Sequence, residues 1–133
     1  MSATAKRGRP ASTGEWVRTK RVTEPAALED GTRVLVMRLW PRGTRKSAAA
    51  LWLINLGTPV DLIRRWKAGG MTWATFASAY RKHLRSAEAR ADLQMLVQLA
   101  RRGPVTLLCT CPEEARCHRG ILKLVLAGAL RQE

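Results

Sequence analysis

Two short runs of the chain carry apolar side chains with almost no alternation: Arg33–Trp40 (RVLVMRLW) and Val105–Cys109 (VTLLC). They restrict the fold more than any other feature. A strand with one wet face alternates apolar and polar residues. A strand covered on both faces reads as a continuous apolar run. Such strands pair in parallel, parallel neighbours need a long crossover, and the chain between these two runs reads as helical. Crossovers of this kind are right-handed, so both strands would end on the same edge of one sheet. The expected class is α/β with a mainly parallel sheet.

The remaining segments supply a third strand and about five helices. Glu15–Val22 (EWVRTKRV) alternates loosely and reads as an edge strand blunted by its basic residues. Glu24–Thr32 is a loop containing Pro25, Asp30 and Gly31, and Pro41, Arg42 and Gly43 end the first apolar run. Ser47 is placed to cap a helix through Leu56, which Gly57 would end. Thr58-Pro59-Val60-Asp61 offers a cap residue, a proline at the first helical position and a carboxylate in the first turn; this helix should stop near Ala68, before Gly69-Gly70. Thr72 can cap a third helix, whose Trp73, Phe76 and Tyr80 form an aromatic stripe expected in the core. Ser86 can cap a fourth, with Leu93, Leu96, Val97 and Ala100 on one face and Gly103-Pro104 at its end. A last helix, from about Arg119 to Arg131, is apolar around most of its surface and should pack on the sheet.

Hydrophobic residues fill 46% of the 133 positions, enough for one globular core. A single domain over residues 14–133 is expected, after a disordered basic arm, Met1–Thr13 (MSATAKRGRPAST). The formal net charge is +14 at pH 7, and most of it lies beyond the arm. Such a field draws nucleic acid, anionic membrane or acidic partners, although solvated helix faces account for it equally well. No membrane span is expected, because the longest apolar run, Ala48–Ile54, is far short of roughly 20 residues. No apolar stretch follows the basic start, so no secretory signal is expected either. The three cysteines are an odd number crowded into nine positions, which suits reduced thiols in the cytoplasm better than a disulfide scaffold.

Val105–Ile121 (VTLLCTCPEEARCHRGI) brings Cys109, Cys111, Cys117, His118 and Arg119 to one strand-to-helix turn, where α/β proteins place their sites. With the two apolar strands side by side, the loop Trp40–Lys46 (WPRGTRK) should lie against the loop Thr110–Arg119. Arg42, Arg45, Lys46, Arg116 and Arg119 would then line a shared crevice. Three chemistries fit. Cys117, at a helix N-terminus and near guanidinium groups, could be a reactive thiol supported by His118 and Arg119; the plain alternative is an inert buried cysteine. Cys109, Cys111, Cys117 and His118 are four soft donors for zinc, but common zinc sites add a second, distant pair, so no metal is the expectation. The helix start and its arginines could bind a phosphate without any thiol chemistry. Cys111 to Arg116 has a C-x4-R spacing, but Pro112 removes an amide donor and Glu113-Glu114 repel anions. Neither glycine-rich nucleotide fingerprint occurs.

Two stretches together resemble a known family. Glu24–Gly43 (EPAALEDGTRVLVMRLWPRG) closely resembles the opening of domain-of-unknown-function family 488 in its YeaO-like branch. Trp73–Leu84 (WATFASAYRKHL) looks like that family's F-x-x-x-Y-x-x-x-L helix, and Cys109–Arg119 resembles its C-x-E-x5-C-H-R ending. The match runs from about Val17 to Leu130. It implies a compact α/β fold with a small Rossmann-like sheet and an intracellular bacterial protein, and it brings no activity with it. Two positions depart from the pattern: Met37 stands where the family usually has Asp, and Cys111 where the wider family has Glu. By residue, the resemblance carries over Arg38, Trp40, Pro41, Arg42 and Gly43 in the first motif, and Cys109, Cys117, His118 and Arg119 in the second.

The expectation is thus an α/β protein with about three mainly parallel strands and about five helices. Arg38, Trp40, Arg42, Gly43, Cys109 and Arg119 should bind a phosphate-bearing ligand. The alternatives are a basic protein accessory to nucleic acid or the ribosome, and an enzyme using Cys117, His118 and Arg119. No cofactor is expected, and the oligomeric state stays open.

Overall fold

Residues 17–132 are described in a computed structural model; the expected arm, Met1–Thr13, lies outside them. Four strands and four α-helices follow in the order β1 (Val17–Arg21), β2 (Thr32–Leu35), β3 (Leu51–Trp52), α1 (Val60–Lys67), α2 (Trp73–His83), α3 (Ala87–Arg102), β4 (Val105–Cys109) and α4 (His118–Arg131). The strands form one sheet in the order β1-β4-β2-β3, and every pair is parallel. This is the expected α/β architecture with one strand more. β4 is buried at all five positions and lies between β1 and β2. β1, with its exposed Arg18 and Arg21, takes an edge, as its charges require.

The period of two along each strand sorts the core into two layers. Val105 and Leu107 of β4, Val34 and Val36 from the β2 side and Val17 of β1 share a cluster with Leu62, Phe76, Tyr80, Leu96, Leu122 and Leu126, so all four helices contribute to one layer. Leu35 and Leu108 face the other way, where Met37, Trp40, Ala48, Ala49 and Trp52 cover them. Leu107 is fully buried, and truncating it to alanine should cost about 2–5 kcal/mol. The aromatic stripe is core as expected: Phe76 and Tyr80 are buried and Trp73 packs against the same cluster.

Two expectations are corrected. The first apolar run does not extend to Trp40. β2 ends at Leu35; Val36 N–H still donates to Leu108 C=O at 3.1 Å, and then the chain leaves the sheet. The Met37 carbonyl accepts from Trp52 Nε1 at 2.7 Å instead. Nor is Ser47–Leu56 a helix. It makes a 3₁₀ turn at Lys46–Ala48, the short strand β3 and a second 3₁₀ turn at Ile54–Leu56. The free edge of β2 explains this: Ala50 N–H donates to Arg33 C=O at 2.8 Å and Leu53 N–H to Leu35 C=O at 3.0 Å. Buried carbonyls need donors, and this demand overrides the local helical pattern. Gly57 does not end a helix. It crosses the chain after β2, where a Cβ would come within 2.2 Å of Arg38 N and 2.5 Å of Met37 C.

The helix starts hold more closely. Thr72 Oγ1 accepts from Thr75 N–H at 3.1 Å and Ser86 Oγ from Ala89 N–H at 3.3 Å, so both residues cap as read. Thr58 does not cap. Pro59 occupies the N-cap position of α1, and Thr58 is buried.

Candidate functional site

β4 ends at Cys109, and the alternation that buries Val105 and Leu107 on the helical side turns Cys109 to the same side. The chain then leaves through a 3₁₀ turn at Glu114–Arg116 and returns at Cys117, which is the N-cap residue of α4. That return is tight. Cys117 N–H donates to Glu114 C=O at 3.2 Å, and a Cβ on Gly120 would lie 2.5 Å from the same oxygen. The result brings all three cysteines together. Cys109 Sγ lies 3.6 Å from Cys111 Sγ and 3.6 Å from Cys117 Sγ. Cys109 and Cys117 are buried, and Cys111 is half-buried.

Adjacency in sequence does not make two side chains converge, but here Cys117 and His118 do: Cys117 Sγ lies 3.7 Å from His118 Nδ1. The other ring nitrogen, Nε2, is held against the Val36 carbonyl. A carbonyl can only accept, so Nε2 carries the proton in the neutral ring, and the Nδ1 lone pair faces the thiol. Tyr80 packs on the imidazole. Its ring meets His118 edge-on at 5.4 Å, and its hydroxyl donates to Leu56 C=O. Burial, then the sulfurs of Cys117 and Cys109, push the Tyr80 phenol well above its ordinary 10.0.

Arg119 enters the same cluster from the first turn of α4. It is 3% exposed. Its Nη1 donates to Cys111 C=O at 2.8 Å and to Cys117 Sγ at 3.6 Å, while Nε is buried without a partner. Neither of those partners is a carboxylate. Within the thiol group, hydrogen bonds from Cys111 and then Cys117 hold Cys109 far below the ordinary thiol range, against the opposing effect of burial. The same hydrogen bonds to Cys109 push Cys117 and Cys111 up.

The three cysteines and His118 line a cavity of about 250 Å³; Arg119 and Tyr80 stand behind them, outside its lining. Met37, Ile63, Trp66 and Phe76 make its apolar wall, Thr58 and Thr110 add hydroxyls, and Lys67 and Arg116 bring cationic side chains. Nothing in the sequence pattern marks Thr58, Ile63, Trp66, Lys67 or Phe76 as site residues. They come from α1, α2 and the residues just before α1, and only the crossover carries them over the end of β4.

The crevice expected between two loops does not form. Although β2 and β4 are neighbours, Trp40 turns to the face opposite the helices, where it covers Leu35 and Leu108. Trp40 donates from Nε1 to Thr44 C=O at 2.8 Å and meets Trp52 edge-on at 5.4 Å. Arg42 and Gly43 are exposed in the turn that follows, with Gly43 at φ 79°. Trp40, Arg42, Gly43, Arg45 and Lys46 are absent from the lining of the thiol cavity. Arg38 is turned into a different polar group: it donates to Asn55 Oδ1 at 3.3 Å and Gly57 C=O at 3.0 Å, with its Nη2 3.2 Å from His83 Nε2. There it pins the return of the chain near β3 to the end of β2. Of the expected site residues, the structure brings together Cys109, Cys111, Cys117, His118, Arg119 and Arg116, and leaves the first motif elsewhere.

Comparison with known proteins agrees with the resemblance. The sequence model of a family described as "Active DUF488-N3 subclade" matches residues 17–130. The chain is 34% identical over 117 residues to "Uncharacterized protein YeaO" of Escherichia coli (strain K12), covering 86% of this chain and 96% of that one. It is 32% identical over 114 residues to "Uncharacterized protein Rv3073c" of Mycobacterium tuberculosis (strain ATCC 25618 / H37Rv), covering 84% and 94%. No solved structure matches significantly. Spanning both motifs and nearly the full length of these relatives, the chain belongs to the DUF488 family, in its YeaO-like branch.

Proposed function

We propose that this protein is an enzyme in which the Cys109–Cys117 thiol pair, with His118 and Arg119, acts on a small anionic molecule held in the cavity at the end of β4. The observation that carries this reading is the burial of Arg119 beside Cys117 Sγ, with no carboxylate among its partners. A guanidinium stays charged in proteins and is costly to bury alone. It gains a counter-charge from a thiolate and would stabilise that thiolate as a nucleophile. His118 Nδ1 is placed to take the proton of Cys117. In the reaction, a sulfur–carbon bond forms with the substrate, and the leaving group departs with the bonding pair and the proton from His118. Water then releases the product and restores the thiol. The cavity's apolar wall and its two cationic residues suit a small substrate with an apolar body and an anionic group, such as a phosphate.

The test is the rate of alkylation at each cysteine in chelator-treated protein, read by mass spectrometry. Cys109 or Cys117 should react faster than free cysteine, inorganic phosphate should slow it, and Arg119→Ala should remove the excess rate. Three cysteines that react no faster than free cysteine in the native protein overturn the reading.

A second reading rests on charge. The chain carries a formal +14, and exposed basic residues occur on every α-helix, among them Arg64, Arg81, Arg101 and Arg131. Contact with nucleic acid through this surface needs no chemistry in the cavity.

A further inference from the structure

We propose that Cys109, Cys111, Cys117 and His118 Nδ1 form a binding site for one soft divalent cation of the zinc class. The inference goes beyond the thiol reading, although it uses the same side chains. It rests on shape, on a fixed tautomer and on charge balance.

Three donor atoms, from Cys109, Cys117 and His118, stand together as in a tetrahedral site, and Cys111 lies beside Cys109 as the fourth. Sulfur ligands about 2.3 Å and a nitrogen about 2.0 Å from zinc are separated from one another by roughly 3.5–3.8 Å. The Cys109–Cys111 and Cys109–Cys117 sulfur separations are both 3.6 Å, and Cys117 Sγ to His118 Nδ1 is 3.7 Å. The donor atoms of Cys109, Cys117 and His118 all lie within 4.8 Å of one another, and all three residues are buried. Cys111 is the half-buried member, carried by the loop after β4 rather than by the strand. It is the ligand that must close on the ion by turning its side chain.

The imidazole is already oriented. Metal-bound histidines hand their second ring nitrogen to a carbonyl or carboxylate, which fixes the lone pair of the first. His118 Nε2 on the Val36 carbonyl does this, and Nδ1 is the atom that faces the sulfurs. Arg119 supplies the balance of charge. Three thiolates around a divalent ion leave one net negative charge in a buried place. Arg119 Nη1, 3.6 Å from Cys117 Sγ, cancels it and donates to a ligand sulfur. Three thiol ligands favour a soft ion over a hard one. A loaded site leaves no free thiolate, so the chemistry proposed above belongs to the metal-free protein.

Cobalt(II), added alone to chelator-treated full-length protein, tests this directly. The expected result is one ion per chain, with the intense sulfur-to-cobalt absorption of a thiolate site, and its loss when zinc displaces cobalt. Cys111→Ser lies on a half-exposed loop and should leave the fold intact, which circular dichroism checks. It should weaken binding at least tenfold and reduce the thiolate band. A folded native protein that shows no thiolate–cobalt band overturns the site; an unweakened Cys111→Ser variant overturns the four-ligand assignment. Fast alkylation of the chelated protein without cobalt binding would leave the enzyme reading standing alone. Cobalt binding with slow, ordinary thiols would leave the metal site standing alone.

Discussion

Asp30 has no exposed surface, yet it keeps its charge because of what surrounds it. Burial pushes its carboxyl up. Hydrogen bonds from Lys20 and Arg33, with one from the Ala27 amide, outweigh that and hold it below its ordinary 3.8. Lys20 Nζ lies 2.9 Å from Oδ1 and Arg33 Nη1 2.8 Å from Oδ2. The pair thus ties edge strand β1 to β2 on the face away from the helices. A carboxyl with a depressed folded pKa stabilises the fold above its unfolded value, and that contribution is lost as pH falls through the lower folded value. Chemical denaturation of the native protein should therefore become easier as pH drops below 3.8. Asp30→Ala should remove this acid dependence. It should also cost about 3–5 kcal/mol, because it strands two cations with little access to water. A variant as stable as the native chain, with its acid limb unchanged, would show that the ion pairs are ornamental. Arg119 poses the same electrostatic problem with sulfur in place of a carboxylate.

Elements are set partly by local signals and partly by their neighbours. The caps at Thr72 and Ser86 are local, and each should cost about 1 kcal/mol when changed to alanine, read as a fall in denaturation midpoint. Gly57 is different. Its φ of −73° suits any residue, so its need for glycine is one of space. Gly57→Ala would drive a methyl group into the backbone at Met37–Arg38, and overpacking of this kind costs about 1–3 kcal/mol. The loss should appear in the cavity too, because Met37 and Thr58 flank that crossing and both line it. Full stability of Gly57→Ala would mean that the crossing is looser than drawn. β4, the caps and the last helix were legible because each announces itself within a dozen residues. The segment after Ser47 was not. Its apolar run fits a helix or a strand equally well, and only the unpaired edge of β2 decides between them.

Across the whole molecule, the helices all contribute to one layer of the sheet, and the loop after β2 covers the other. This division separates Trp40 and Arg42 of the first family motif from the second, although Arg38 reaches His83 of α2. The R-L-W-P-R-G stretch packs Trp40 on Trp52, on the side away from the helices, while the C-H-R stretch builds the thiol cluster. The basic surface belongs to neither motif. Among the described residues no helix is long and apolar enough to cross a membrane. If the charge serves nucleic acid, binding to mixed-sequence RNA or DNA should fall linearly with log salt, by about 0.7–0.9 in log K for each phosphate neutralised. It should survive Cys117→Ser unchanged and weaken when Met1–Thr13 is deleted. Salt-insensitive binding, or none at low salt, would remove this reading and leave the cavity as the seat of function.

The sequence by itself determined the α/β class, the parallel pairing, the edge position of β1, and the gathering of three thiols, an imidazole and a guanidinium at one strand-to-helix turn. These follow from period, apolar runs and turn residues, which act over short distances along the chain. Only the tertiary structure decided that His118 turns its Nδ1 to Cys117, that Arg119 is buried with sulfur for company, and that Arg42 stays outside. Those outcomes depend on which face of the sheet each loop takes after its strand. That choice is made by distant partners: the Val36 carbonyl waiting for His118, the apolar surface of Leu35 and Leu108 waiting for Trp40, and the helices that close the cavity over Cys109.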